Sequence, residues 1–263
     1  MIRKHPLTRL ACLVAVAGFV FLPSSKAQAA DKWEWDITPY LWAISVKADV
    51  ALDDEPTLGA DVKFKDLVDK VDIAAMLHFE GRRGQFGFFT DAIFISLTDD
   101  QTRSANPPLP GGTETEANLD LGLYEGGGFY RLKDAVTGFD ILYGVRVIDD
   151  SQDVTITVPP PISATVDGST SDTYTDGIIG VRYSAPMGKR WYYAIRGDVG
   201  AGGTKIAWNG IVSFGFLCDK KGTYNLRFGY RYFKTELDTT ENGTDVETDL
   251  TLYGPYIGFG FRF

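Results

Sequence analysis

The chain closes on LYGPYIGFGFRF, residues 252–263. Tyr253, Ile257, Phe259, Phe261 and Phe263 are apolar or aromatic, and Gly254, Tyr256, Gly258, Gly260 and Arg262 stand between them. Alternation with a period of two marks a strand with one oily face and one small or polar face. A chain end left in water frays into polar residues. This one stops on a phenylalanine, so its oily face calls for a lasting apolar partner.

The same alternation recurs upstream. Tyr224, Leu226, Phe228, Tyr230 and Tyr232 share one face against Asn225, Arg227, Gly229 and Arg231. Phe139, Ile141, Tyr143, Val145 and Val147 oppose Asp140, Gly144 and Arg146, while Trp191, Tyr193, Ile195 and Val199 oppose Tyr192, Arg196 and Asp198. Strands are predicted over 33–50, 71–81, 85–98, 115–132, 137–151, 173–185, 190–202, 205–218, 222–237 and 246–263. Their connections at 82–84, 133–136, 186–189 and 219–221 are short. Those at 51–70, 99–114, 152–172 and 238–245 are long and rich in Asp, Thr, Gly and Pro.

Short turns on one rim and long loops on the other fit an all-β, transmembrane, antiparallel up-and-down barrel of ten strands, with eight or twelve as the alternative counts. A soluble barrel would have to pack these aromatics inside a narrow tube. A lipid-facing exterior around a polar lumen avoids that, because closure satisfies every backbone group where no water is present. Trp33, Trp35, Tyr183, Trp191, Tyr224, Tyr232 and Tyr253 gather near strand ends, where lipid meets water.

The first 29 residues read as a secretory signal peptide: basic MIRKHPLTR, apolar LACLVAVAGFVFL, then small-residue PSSKAQAA. The apolar run is shorter than the roughly 20 residues of a spanning helix. The barrel domain is then 30–263. Four of the 26 Lys and Arg lie in the leader and none of the 35 acids, which leaves 22 against 35, a formal −13. Such acidity excludes a nucleic-acid partner, which wants a basic face. Cys218 is the one cysteine outside the leader, so no intrachain disulfide is expected.

A terminal Phe after alternating aromatics resembles the C-terminal signal read by the barrel-assembly machinery, with Tyr253, Ile257, Phe259, Phe261 and Phe263 as the signal positions. The segments WDITPYLWA, HFEGRRGQFGFFTDAIFISL, GLYEGGGFYRL, WYYAIRGDVGAGG, FGYRYFKTELD and YGPYIGFGFRF resemble a family of uncharacterised proteobacterial outer-membrane β-barrel proteins. The resemblance covers most of the chain beyond the leader. It implies a Gram-negative outer-membrane location and brings no catalytic residues.

Two carboxylates break the pattern. Glu125 falls in phase with Leu119, Leu121 and Leu123, which would aim it at lipid, and Gly126-Gly127-Gly128 suggests a bulge that turns it inward. Asp91 sits where both faces are apolar. With both pointing inward, the lumen would hold Asp91, Glu125, Arg146, Arg182, Arg196, Asp198, Arg227 and Arg231 in one middle band. Opposite charges at one height should pair. The band reads either as a brace across a narrow lumen or as a constriction that sorts solutes.

Catalysis is not expected. His78, in MLHFEG, is the one histidine outside the leader and reads as a lumen hydrogen-bonding residue. No cofactor is implied, and no Cys and His spacing suits a metal. In 60–72, Phe64, Leu67, Val68 and Val71 have the spacing of a short helix that could cap or plug the mouth. The oxygen-rich DTTENGTD, 238–245, reads as a solvated turn.

Two functions remain open. One is a narrow pore for small or apolar solutes, gated by the charged band. The other is a closed, monomeric structural or surface-interaction barrel whose long loops meet a partner or lipopolysaccharide.

Overall fold

The computed structural model describes residues 32–52, 55–103, 113–132, 138–158, 163–241 and 244–263. The leader reading falls outside them. Twelve strands follow in order: β1 (Glu34–Trp42), β2 (Ser45–Leu52), β3 (Glu55–Val62), β4 (Val71–Arg83), β5 (Phe86–Arg103), β6 (Thr113–Arg131), β7 (Gly138–Val158), β8 (Ala164–Pro186), β9 (Trp191–Gly202), β10 (Ile206–Leu217), β11 (Tyr224–Glu241) and β12 (Thr244–Arg262). Between β3 and β4 lie a one-turn helix α1 (Phe64–Leu67) and a 3-10 turn, Val68–Lys70.

All pairings are antiparallel. β4 to β12 pair in sequence, and β12 returns to β1, so the sheet closes. β12 spans both β1, from Arg262↔Asp36 to Tyr256↔Trp42, and β2, from Tyr253↔Ser45 to Val246↔Leu52. β1 and β2 are thus two halves of one stave, and the barrel has ten. The break between them, at Ala43 and Ile44, faces Gly254-Pro255. Pro255 carries no N–H for the ladder. The expected strand 33–50 is in fact these two pieces.

The long loops are also mostly strand. β7 and β8 stay paired to Val158↔Ala164, and β5 and β6 to Arg103↔Thr113. Residues 55–62 form a hairpin with β2 rather than irregular loop. The expected cap over the mouth is smaller than its spacing suggested: α1 has one turn and buries none of its residues, so it plugs nothing.

Alternation sorts side chains as the closing dodecapeptide promised. Phe259, Phe261, Tyr230 and Val145 lie 39–48 % exposed on the outside, while Arg146 and Arg231 are 0 % and 3 % exposed within. Rings pack on one another along the short-turn rim: Trp33 stacks on Trp35 at 5.2 Å, Trp191 meets Phe216 at 4.9 Å, and Phe259 meets Phe261 at 5.1 Å. On β11 the outward apolar series runs from Tyr224 to Tyr232 and gives way to Lys234, which pairs with Asp249 at 2.9 Å. The exterior is an apolar belt with a polar wall rising above it.

Candidate functional site: two storeys inside the barrel

The inward faces place polar and apolar groups at different heights. Along β5 the lumen side reads Asp91, Ile93, Ile95; along β7, Arg146, Ile148; along β11, Arg231, Phe233; along β1, Tyr40, Trp42. Each step toward the long-strand rim goes from charge to hydrocarbon. The lumen therefore has a charged storey with an apolar storey directly above it.

The charged storey is one bonded cluster. Glu125 accepts from Arg146 Nη2 at 2.9 Å, Arg196 Nη2 at 2.7 Å and Arg231 Nη2 at 2.9 Å. Asp198 accepts from Arg196 Nε at 2.7 Å, from Asn209 Nδ2 at 2.8 Å and from Arg146. Asp91 accepts from Arg231 Nη1 at 3.0 Å and from the Tyr40 hydroxyl at 2.8 Å, and His78 Nδ1 lies 3.1 Å from its other oxygen.

Each arginine also stacks on a ring. Arg146 sits 5.0 Å from the Phe233 centroid, Arg196 4.9 Å from Phe89, and Arg231 5.2 Å from Trp42. Carboxylates at the edge of a guanidinium and an aromatic at its face satisfy both its charge and its plane. Arg146 Nη1 is buried without a hydrogen-bond partner.

Toward the short turns a second group continues the cluster. Arg182 donates to Glu80 Oε2 at 2.5 Å and to Asp140 Oδ2 at 2.8 Å, and Asp140 also takes Arg131 Nε at 2.7 Å. His78 Nε2 lies 3.7 Å from Glu80 and so joins the two groups. Arg227 stands apart, bonded to Asp36 and to the Tyr192 hydroxyl. Of the eight sequence-selected residues, Asp91, Glu125, Arg146, Arg196, Asp198 and Arg231 share the central cluster. Arg182 belongs to the lower group and Arg227 to neither.

The eight-residue selection left out Glu80, Asp140, Arg131, Asp36, Tyr40 and Asn209. Glu80 shares His78's face and Asp140 shares Arg146's, so the alternation itself carried those two. Glu125 does point inward, but not through a bulge. β6 stays in register with both neighbours through Gly126–Gly128, so Leu121 and Leu123 face the lumen with it. They belong to the apolar storey.

That storey packs Trp42, Ile44, Met76, Ile93, Ile95, Leu123, Ile148, Ala207, Phe233 and Leu252, all buried. From the short-turn rim the lumen opens to a cavity of about 920 Å³ that is lined by Asp36, Arg182, Arg227 and Arg262 and reaches up among the charges to Asp91, Arg196, Arg231 and Trp42. Among the described residues, no group of three or more His, Cys, Asp or Glu could hold a metal. Cys218 is free and exposed in the β10–β11 turn.

No family model matches the chain, and no curated protein matches it. Several solved structures align along most of its length. The outer-membrane protease OmpT of Escherichia coli is 9 % identical over 91 % of this chain and 100 % of its own, with a TM-score of 0.48. The attachment invasion locus protein Ail of Yersinia pestis is 10 % identical over 89 % and 99 %, at 0.31. A Pseudomonas aeruginosa FadL homologue is 8 % identical over 89 % and 90 %, at 0.34. These likenesses are too remote to carry function. The barrel rests on its own ladders.

Proposed function

We propose that this chain is an outer-membrane barrel of a Gram-negative envelope, closed to water along its axis, which acts as a structural or surface-interaction element. The observation that carries this is the lumen's filling. A guanidinium with no exposed surface is clamped between Glu125 and Asp198, under the apolar storey. Ten strands enclose little more than the eight that side chains fill completely. Lipid around the belt supplies the partner that the outward aromatics lack, because an exposed apolar patch of this extent does not stay in water.

In this reading the short turns face the periplasm and the long strands face out. The leader exports the chain, and the closing aromatics from Tyr253 to Phe263 are what the assembly machinery recognises. The partner surfaces are then the rim beyond the belt and lipopolysaccharide. No catalytic role falls to His78, which is tied to Asp91.

The 920 Å³ cavity favours the pore as the second reading, since half of a passage is already there. Planar-bilayer recording separates the two. The purified wild type should give no single-channel events, and steady, ion-selective openings would overturn the closed barrel.

A further inference from the structure

Among the described residues, the ladder between β1 and β4 stops short. β1 and β4 pair from Glu34↔Arg82 to Pro39↔Leu77, yet β4 extends to Val71. Continued in the same register, Trp42 would face Ala74. Instead the Trp42 amide donates to the thioether sulfur of Met76 at 3.1 Å. Thioether sulfur is a weak acceptor, so this contact stands in poorly for a backbone bond.

β1 leans the other way. Ala43 N–H donates to Pro255 O at 2.9 Å, and the Ala43 carbonyl lies where a Cβ on Gly254 would come within 1.9 Å of it. On the opposite side of the gap, Asp72, Ile73, Ala74 and Ala75 are all exposed. Successive side chains of a strand point to opposite faces, so β4 is open from both sides here. Ala74 pairs with Ile95 and shares its inward phase.

The gap lies within the belt, because Leu41 is level with Ile257. Outside it stand Leu41, Ile73 and Leu77, exposed at 62 %, 58 % and 45 %. Inside stand Trp42, Ile44 and Met76, all buried in the apolar storey. A charged ligand would lose its water here and meet no opposite charge on these six side chains. An alkyl chain fits the chemistry on both sides, and the outer residues continue the lipid-facing surface without a break.

We propose that this gap is a lateral slot that takes one lipid acyl chain from the bilayer and seats it along Ala74 and Ala75, at the edge of Trp42 and Met76. The proposal rests on the membrane reading and goes beyond it: a tube closed to water end to end is open to hydrocarbon from the side.

Tryptophan quenching by lipids brominated on their acyl chains tests it. The chain keeps Trp42 alone, with Trp33, Trp35, Trp191 and Trp208 changed to Phe. Two chains without the five native tryptophans serve as references, one with Tyr230→Trp on the belt and one with Phe233→Trp behind intact ladders. Trp42 should lose emission about as far as the belt reference and well beyond the Phe233 position.

Quenching of the belt reference with Trp42 as protected as Phe233→Trp overturns the slot and leaves the membrane reading standing. An unquenched belt reference overturns both. Ala74→Phe, which fills the gap, should abolish Trp42 quenching while heat-modifiable gel mobility persists; quenching that survives it also overturns the slot. If the single-tryptophan chain does not fold, Ala74→Cys in a Cys218→Ser chain reports instead. The proposal expects reaction with a bilayer-partitioning maleimide and none with a charged one, and the reverse order refutes it.

Discussion

Glu125 receives three guanidiniums on one carboxylate, from Arg146, Arg196 and Arg231. Its own side chain has no exposed surface. Removing one member of a buried ionic cluster leaves uncompensated charge and costs about 3–5 kcal/mol. Glu125→Ala should therefore lower the unfolding free energy of the refolded barrel by that amount, read as a lower urea midpoint, whereas Glu125→Gln, which keeps an acceptor oxygen, should lose less. Equal midpoints for wild type and Glu125→Ala would show that Asp198 and Asp91 suffice for the three arginines. The inward placement of Asp91 and Glu125 was legible in the sequence from the cost of a charge in lipid. The route to it was not. Leu119, Leu121 and Leu123 look lipid-facing only if the lumen is assumed polar throughout, and a single strand gives no sign that hydrocarbon fills the inside as well.

At the scale of elements, the ten staves were readable because each crosses the belt, where oil outside and charge or glycine inside impose a period of two. Above the belt that contrast ends. TVDGSTSDTYTD in β8 has water on its outer face and no hydrocarbon to distinguish the inner one, so its strand continues to Ala164 without an alternation to announce it. β3 was hidden for a related reason: EPTLGADV carries Pro56 and Gly59, which read as loop. The interruption of the first stave was equally silent, since it depends on the meeting of Ala43 with Gly254 from the far end of the chain. Gly254 has φ +156 and no room for a Cβ beside the Ala43 carbonyl. Gly254→Ala should therefore impair closure and cut the fraction of heat-modifiable, folded protein. Normal yield and mobility would mean that β1 can shift toward β4 and narrow the gap.

For the whole molecule, the belt sets a length. From Tyr224 to Tyr232 is eight steps, about 26 Å along the strand at 3.3 Å per residue, and a tilt of roughly 40° brings that near 20 Å of height. Refolding into phosphatidylcholine bilayers of increasing acyl length should be most complete in the thinner ones, followed by gel mobility across the series. A yield indifferent to thickness would argue that lipid does not meet these rings at all. Charge is divided as unequally as polarity. The chain is acidic as a whole, yet the cavity mouth at the short turns gathers Lys189, Lys220, Lys221 and Arg262.

The last residue exchanges two backbone bonds with Trp35, its amide donating at 3.1 Å and its carbonyl accepting at 2.9 Å. The seam that turns a sheet into a tube is thus made by two strands, β1 and β12, that lie at opposite ends of the described residues. Without β12 the remaining staves form not a slightly narrower cylinder but an open ribbon with two raw margins, each a row of unpaired backbone groups.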